Sequence, residues 1–215
     1  MLKLYSYWRS SASYRVRLAL HLKGLAFEVT PVHLVKDGGQ QHAAPYKALN
    51  PEGRVPLLVD GDFKLGQSLA IFQYLEAQYP TPPLLPANAR LRARAWQFCE
   101  AINADIQPLQ NLGALNYLTG TLGVSEEQKL AWIRHWINRG LSALEQEIAD
   151  LPERAALFGD DPGYADCCLV PQMYAARRFG ADLTLFPRLA DTSTRLELLP
   201  AFVAAHPERQ VDANS

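Results

Sequence analysis

A run of small hydroxyl residues flanked by arginines is the part of this sequence best suited to chemistry. Residues 9–17 read RSSASYRVR and follow a short apolar stretch, Leu2–Tyr7. This order predicts a strand that turns into a helix at the serines. A helix N-terminus carries unpaired N–H donors and partial positive charge, so it stabilises a thiolate, carboxylate or phosphate. An ordinary helix cap is the alternative, because serine is a favoured N-cap residue.

The first eighty residues alternate between strand and helix patterns. In order, they predict a strand near Lys3–Tyr7, a helix over Ser13–Lys23, a strand from Phe27, a short helix before Asn50, a hairpin over 55–65 and a helix over Ser68–Tyr79. The hairpin turn is expected at Asp60-Gly61, since Asp-Gly is a preferred turn pair. Such a chain order predicts a small mixed sheet covered by helices.

Pro56 is unusual inside the first strand of this hairpin. Proline has no N–H to donate to a sheet ladder, so the pattern leaves two alternatives. Either Val55-Pro56 lies at a sheet edge, or its peptide bond is cis and turns the Val55 backbone toward a ligand.

Beyond a proline-rich segment, every pattern in the second half is helical. We predict a first domain over residues 1–80, a linker over 81–86 and an all-helical domain over 87–215. Within the helical domain we expect a long helix over Ala89–Leu112 that Pro108 kinks, a helix opened by a capping box at Ser125, and a core helix over Tyr164–Arg178.

Composition excludes several classes of function. The chain has 21 basic and 22 acidic residues, and they are scattered, which gives no support to nucleic-acid or membrane-surface binding. The three cysteines show neither disulfide nor zinc-site spacing, so we expect them to be buried, reduced thiols. The five histidines also lack metal-ligand spacing, so we expect no bound metal. With neither a membrane-spanning run nor a signal-peptide pattern, we expect a cytoplasmic protein with a small-molecule ligand.

Several motifs carry a more specific signal when they are taken together. They are residues 10–17, 37–41, 48–51, 55–56, 67–68 and 107–111, and they resemble the zeta class of glutathione transferases, the group that includes the maleylacetoacetate and maleylpyruvate isomerases. The resemblance runs nearly end to end and implies the glutathione transferase fold, an α/β thioredoxin-like N-terminal domain plus an all-α helical domain. It also implies a homodimer, a cis Val55-Pro56 bond and a role in aromatic amino acid catabolism.

The resemblance further implies where glutathione binds, on the N-terminal domain facing the interdomain cleft. Gln67 and Ser68 start the third helix and match the site of the γ-glutamyl carboxylate, which a helix N-terminus would favour. Val55, before Pro56, would pair its backbone with the cysteinyl part like an added strand. The remaining matches are Gln41, at the glycyl end, and Gln107 and Asn111, which would reach across the cleft toward glutathione of the neighbouring subunit.

At the thiol end, the protein must favour the thiolate over the thiol. Ser10 is our first candidate, with its hydroxyl donating to sulfur, and Ser11 is close enough to share the role. The backbone N–H groups from Ser11 to Ser13 would assist, without a proton-transfer base. Tyr5 and Tyr7 lie near the position that other glutathione transferases use for a catalytic tyrosine, but the serine signature favours Ser10.

Two positions depart from the zeta-class pattern. Ala12 stands where the class commonly has cysteine, so chemistry that needs a protein thiol there is in doubt, whereas chemistry that uses the glutathione thiolate is not. Gly163 stands where relatives usually have threonine at the start of the core helix. The lost cap hydroxyl should affect stability more than activity.

The reaction that the resemblance implies is cis-to-trans isomerisation of a maleyl diketo acid, most specifically maleylacetoacetate. The glutathione thiolate would add to the double bond, the product would rotate about the new single bond, and elimination would restore the alkene as trans. Such a diacid calls for cations, and Arg9 and Arg178 are our substrate-binding candidates. Arg15 and Arg17 follow the serines on the helix and could also bind a carboxylate, but we expect them to be solvent-exposed or paired between subunits.

Three alternatives remain open. A maleylpyruvate isomerase would use the same residues, and the sequence does not choose between these two substrates. A glutathione transferase acting on small electrophiles such as α-haloacids needs the same thiolate but no elimination step. A noncatalytic glutathione-binding dimer is the third alternative, and the retention of the other glutathione motifs argues against it.

Overall fold

The computed structural model describes residues 1–213, which form two compact units. The N-terminal unit comprises Met1–Leu84 together with the segment from Leu198 onward, and the helical unit comprises Leu85–Glu197. The prediction that the chain from residue 87 onward is one helical domain is therefore wrong for residues 198–213. This segment joins the N-terminal unit because its helix packs on the first helix of the chain, a long-range contact that local patterns do not encode.

The N-terminal unit is built on a mixed four-stranded sheet with the order β2-β1-β3-β4. Its elements are β1 Leu2–Ser6, α1 Ser11–Leu22, β2 Phe27–Pro31, α2 Ala44–Leu49, β3 Leu57–Asp60, β4 Phe63–Gly66 and α3 Ser68–Gln78. β1 pairs parallel to β2 and antiparallel to β3, and the β3–β4 hairpin turns through Gly61 and Asp62. The predicted mixed sheet and hairpin are confirmed, but the turn lies one residue later than predicted, at Gly61 and Asp62 instead of Asp60 and Gly61.

The core of this unit lies between the sheet and its helices. Leu2 and Leu4 of β1 are buried, as alternation along a half-covered strand requires. α1 is buried along nearly its whole length, including Val16, Leu18 and Leu20. Only residues 7–10 separate the end of β1 from the start of α1. The serine turn is therefore attached to the sheet on one side and to a core helix on the other.

The helical unit contains α4 Ala89–Glu100, α5 Leu112–Gly120, α6 Glu126–Glu147, α7 Tyr164–Arg178 and α8 Pro187–Leu196. α9, Pro200–Ala205, lies in the C-terminal segment of the N-terminal unit. The capping box at Ser125 and the bounds of the core helix α7 are confirmed. Both depend on local signals, a serine cap and a continuous apolar run.

The predicted helix over 89–112 is wrong as one regular α-helix, although its last turns loosen around Pro108 as expected. After α4 the chain passes through a π-helical segment, Ala101–Ile106, and a tight turn, Gln107–Gln110, before α5. Packing explains the change, because α6 approaches so closely that a Cβ at Gly140 would lie 2.3 Å from the Ile106 side chain. Pro108 then stands in the turn, where its missing N–H costs little.

Asp166 caps the start of α7 from inside the fold. Its carboxylate accepts hydrogen bonds from the N–H groups of Gly163, at 2.8 Å, and Leu157, at 3.0 Å. Gly163 has no side chain, so only this half of a capping box exists. Burial raises the pKa of Asp166 to about 6, and the two N–H donors oppose this rise only in part.

This raised pKa predicts a pH dependence of stability. The folded chain holds the Asp166 proton more tightly than the unfolded chain, whose ordinary pKa is 3.8. Unfolding therefore releases a proton between these values, so the free energy of unfolding falls as pH rises through this window, by about 1 kcal/mol between pH 5 and 7. Urea unfolding at several pH values measures the slope, and Asp166→Asn should remove it. A matched variant, Asp182→Asn, changes an exposed cap and should leave the slope unchanged.

The three cysteines, Cys99, Cys167 and Cys168, are buried and free of disulfides, as predicted. Burial also raises the pKa of the Cys167 thiol. Among residues 1–213, no helix combines the length and apolarity needed to cross a membrane. That part of the chain also contains no group of three or more His, Cys, Asp and Glu side chains arranged to hold a metal.

Candidate active site

Ser10 is the N-cap residue of α1, at the point where the chain leaves β1. Its Oγ accepts a hydrogen bond from the Ser13 N–H at 3.2 Å, and its own N–H donates to the Tyr7 carbonyl oxygen at 3.0 Å. Because the hydroxyl accepts through a lone pair, its hydrogen can still be donated to another group. Ser10 is half-buried, so it presents this donor beside a helix N-terminus.

The structure revises which N–H groups of this turn can face an anion. The Ser13 N–H is used by Ser10, and the Ser13 hydroxyl is fully buried. The N–H groups of Ser11 and Ala12 occupy the first turn of α1, where no carbonyl of the helix can accept them. Ser11 and Ala12 are both half-buried.

The tyrosines of β1 pack against other rings. Tyr7 is buried, with its ring centroid 4.9 Å from that of His33 in an edge-on contact. The half-buried Tyr5 ring lies 5.8 Å from that of Tyr46. These contacts are what core and sheet packing require of strand aromatics.

A second helix N-terminus of the same unit lies at Gln67 and Ser68. Gln67 takes the N-cap position with φ +63°, a left-handed conformation that is uncommon outside glycine, and its Nε2 donates to Glu52 Oε2 at 2.7 Å. Ser68 is the first residue of α3, is buried, and accepts a hydrogen bond from Arg15 Nη1 at 3.2 Å. Backbone strain of this kind concentrates at ligand sites.

The expectation that Arg15 and Arg17 are exposed or paired between subunits is wrong, since both are fully buried within one chain. Arg15 brings a guanidinium to the start of α3 and so links the serine turn of α1 to Ser68. The sequence favours exposure over this carboxylate-binding alternative because arginines in folded proteins are mostly exposed. One feature of the sequence does indicate burial, because these arginines alternate with the large apolar residues Tyr14, Val16 and Leu18.

Val55 stands just before β3, and its bond to Pro56 is cis, as the resemblance implies. The ladder between β1 and β3 begins with Tyr5 and Leu57. Val55 is half-buried and lies outside the paired part of the strand, whereas Pro56 is buried.

Gln41 lies in a loop that folds tightly over its side chain. Its Nε2 donates to the Leu34 carbonyl oxygen at 3.2 Å, and its Oε1 is buried without a hydrogen-bond partner among residues 1–213. Gly39 has φ +97°, and a Cβ there would lie 2.6 Å from Gln41 Nε2, so the loop requires glycine. Gln40 Oε1 accepts the His33 N–H at 2.9 Å and closes the loop.

In the helical unit, Gln107 opens the turn before α5 and Asn111 is the N-cap residue of α5. Both side chains are half-buried. The turn between them is anchored from behind by Gln110 Nε2, which donates to Gln172 Oε1 of α7 at 2.6 Å. No local pattern in the sequence points to this buried pair.

The two arginines predicted to bind substrate lie in different units. Arg9 is half-buried in the serine turn, with its guanidinium carbon 4.9 Å from the centroid of the Trp8 ring. Arg178 is exposed at the end of α7, with its guanidinium carbon 4.7 Å from the Phe179 ring centroid. A guanidinium stacked on a ring keeps its donors at the plane's edge, where a carboxylate can bind.

The chain is similar over nearly its whole length to proteins of known family. Residues 4–83 match the family described as glutathione S-transferase, N-terminal domain. The chain is 48% identical over 212 residues to maleylacetoacetate isomerase of Pseudomonas aeruginosa, covering 98% of each chain. A holo structure of maleyl pyruvate isomerase, described as a bacterial zeta-class glutathione S-transferase, superposes with a TM-score of 0.94 at 44% identity, over 98% of this chain and 99% of that one.

A third relative was crystallised with a ligand in its active site. It is maleylacetoacetate isomerase from Anaeromyxobacter dehalogenans 2CP-1 with bound dicarboxyethyl glutathione and citrate, at 40% identity and a TM-score of 0.87, over 100% of this chain and 98% of that one. Relatives this similar, matched over their whole length, define the family. The chain belongs to the zeta class of glutathione S-transferases, the family of the maleylacetoacetate and maleylpyruvate isomerases.

Proposed function

We propose that this enzyme is a glutathione-dependent cis–trans isomerase that converts maleylacetoacetate to fumarylacetoacetate. The observation that carries the proposal is Ser10, an N-cap hydroxyl free to donate at the start of a helix, in a zeta-class chain. A free thiol has a pKa of about 8.5, so an enzyme that uses a thiolate must stabilise the anion. A hydroxyl donor and a helix N-terminus together supply that stabilisation.

The residues of the N-terminal unit fit glutathione at both ends. The serine turn suits the sulfur, and the start of α3, with Ser68 and the buried Arg15 behind it, suits the γ-glutamyl carboxylate. Gln67 lies beside that carboxylate site. The unpaired backbone of Val55, next to Pro56, suits the cysteinyl part. We place Gln41 at the glycyl end, and its loop holds that position.

When bound, glutathione supplies the thiolate that adds to the cis double bond, permits rotation and leaves again to give the trans isomer. The protein's part is to hold that sulfur as an anion. We assign this to the Ser10 hydroxyl and to the first N–H groups of α1, at Ser11 and Ala12. No side chain at position 12 competes, since alanine has no thiol, and the chain's own cysteines are buried.

The substrate is a diacid, so cations must meet its carboxylates and the charge that develops on its carbonyl oxygen. We assign these roles to Arg9 and Arg178. The relative from Anaeromyxobacter dehalogenans supports a dicarboxylate as the electrophile, because its ligand joins a dicarboxylate to glutathione.

The proposal is tested by assaying purified protein with maleylacetoacetate, with and without glutathione. We expect turnover that requires glutathione and yields the trans isomer. Maleylpyruvate is the second candidate substrate, favoured by the similarity to the maleyl pyruvate isomerase structure, and faster turnover of it would reassign the substrate. Turnover of an α-haloacid alone would indicate a transferase, and no turnover with any of these would indicate a binding protein.

The carboxylate site can be tested separately with Ser68→Ala. The variant removes a donor to the γ-glutamyl carboxylate and leaves the Arg15 guanidinium without its partner hydroxyl. We expect KM for glutathione to rise about tenfold, with kcat at saturating glutathione nearly unchanged. Ser193→Ala changes another buried serine, in the helical unit, and serves as control. An equal fall in kcat would instead place Ser68 at the reacting sulfur.

We further propose that the enzyme works as a homodimer in the cytoplasm. Gln107 and Asn111 would then reach glutathione of the neighbouring subunit. Both side chains are half-buried, and the hydrogen bond from Gln110 to Gln172 holds the turn that carries them. Three buried cysteines that form no disulfide suit a reducing compartment. Light scattering coupled to size exclusion measures the oligomeric state, and a monomer that turns over substrate would refute the dimer.

A further inference from the structure

The turn that presents Ser10 is held by groups from distant parts of the chain. The backbone N–H of Trp8 donates to Asp212 Oδ2 at 3.0 Å, across 204 residues of sequence. The carbonyl oxygen of Trp8 accepts from Arg17 Nη2 at 3.0 Å. The backbone N–H and the carbonyl group of Trp8, two residues before Ser10, are therefore both held by side chains. Neither hydrogen bond belongs to the sheet ladder of β1 or to the helical bonding of α1.

Arg17 ties this turn to the C-terminal segment. Its Nε donates to the carbonyl oxygen of Ala205, the last residue of α9, at 3.1 Å. Its Nη1 donates to Ser6 Oγ at 3.0 Å and lies 3.4 Å from the Tyr7 carbonyl oxygen. Because a guanidinium is a rigid plane with fixed donor directions, it fixes the end of β1, the turn and α9 relative to one another.

The C-terminal segment presents Asp212 from a structured position. The side chain of Gln210 donates to the carbonyl oxygens of Ala204, at 3.1 Å, and His206, at 2.9 Å. Asp212 itself is only 5% exposed. A carboxylate that is buried and accepts a backbone N–H makes a charge-assisted hydrogen bond, which is stronger and more directional than a neutral one.

From these contacts we propose that Asp212 is a positioning residue for the glutathione thiolate. Together with Arg17 it holds the Trp8 peptide so that the Ser10 hydroxyl and the first N–H groups of α1 converge on one point, where the sulfur binds. This inference rests on the proposed function, since it concerns the same thiolate. It gives Asp212 a part in the chemistry through its contact with Trp8.

The test is Asp212→Ala, assayed by the ultraviolet absorbance of bound glutathione thiolate as a function of pH. We expect the pKa of bound glutathione to rise by about one unit and kcat to fall about tenfold, because small displacements of a catalytic group are costly. The Kd of S-methylglutathione, which has no ionisable thiol, should stay nearly unchanged. Asp212→Asn keeps a side-chain carbonyl that can accept the Trp8 N–H, so it should restore most of the activity.

Asp182→Ala is the matched control. Asp182 also accepts a backbone N–H, from Thr184 at 3.0 Å, but it lies in the helical unit, so its loss should leave the thiolate titration unchanged. If Asp212→Ala does not fold, Asp212→Ser carries the same test, because its shorter side chain withdraws the acceptor from Trp8. A wild-type titration for either variant overturns this inference alone. Absence of any thiolate signal in the wild-type protein overturns the proposed function as well.

Discussion

Ser10→Ala is expected to lower kcat/KM for glutathione-dependent isomerisation about 100-fold, the usual cost of removing one donor to a reacting anion. Ser10 contributes the hydroxyl that we assign to the sulfur. Ser11 carries the next hydroxyl along the chain and is half-buried, whereas the Ser13 hydroxyl is fully buried. The pKa of bound glutathione should move toward the value of the free thiol, which titration of the thiolate absorbance measures.

The matched control for this variant is Ser125→Ala. Ser125 has the same structural role at α6, where its Oγ accepts the Gln128 N–H at 3.2 Å, the same distance as in the Ser10–Ser13 pair. Either substitution should lower the free energy of unfolding by about 1 kcal/mol through the lost cap. Only Ser10→Ala should change the thiolate titration, so a loss of activity common to both variants would reflect stability.

Ser11 offers the alternative outcome. It occupies the first position of α1 and is half-buried like Ser10. If Ser10→Ala keeps its activity while Ser11→Ala loses it, the hydroxyl donor is Ser11 and the assignment of Ser10 is wrong. If both variants lose activity in part, the two hydroxyls share the sulfur, and a Ser10→Thr variant should recover more than either alanine variant.

The parts of the fold that the sequence predicts well are those set by local signals. The serine cap of α1, the capping box at Ser125 and the bounds of α7 each depend on a few neighbouring residues. The hairpin follows from its turn chemistry, with Gly61 at φ +61°. Short-range hydrogen bonds and backbone preferences decide these features, so they can be read from a window of about ten residues.

The parts that the sequence does not predict depend on packing between distant segments. The break after α4 follows from the close approach of Gly140 to Ile106. The return of the C-terminal segment follows from the contacts of α9 and Asp212 with α1 and Trp8. No local sequence pattern predicts either feature, because the two residues in each contact are far apart in the sequence and neither is unusual by itself.

The candidate site divides in the same way. Its helix N-termini, at Ser10 and Ser68, could be located from sequence, whereas the groups behind them could not. The sequence favours exposure or intersubunit pairing for Arg15 and Arg17, whereas the structure buries both within one chain. A buried arginine among apolar neighbours is tolerated when backbone carbonyls and hydroxyls satisfy its donors, and those acceptors become apparent only in three dimensions.

Arg178→Ala is expected to raise KM for the diacid by about 10- to 100-fold, the cost of losing a hydrogen bond between charged groups. The affinity for glutathione should stay nearly unchanged, because we place glutathione on the N-terminal unit and Arg178 ends α7 of the helical unit. Steady-state kinetics with each substrate varied in turn separate the two effects. Arg178→Lys should fall between the alanine variant and wild type, since lysine keeps the charge but not the planar fork.

The neighbouring Arg177 provides the control for this substitution. It is also exposed at the end of α7, but its guanidinium pairs with Glu197 at 2.6 Å and lies 3.4 Å from Ser193 Oγ. Arg177→Ala should therefore affect stability slightly and leave KM for the diacid unchanged. If Arg178→Ala instead raises KM for glutathione and diacid equally, Arg178 is not a carboxylate ligand. Arg9, stacked on Trp8 next to Ser10, would then be the remaining cation of our proposal, and Arg9→Ala would show the selective rise.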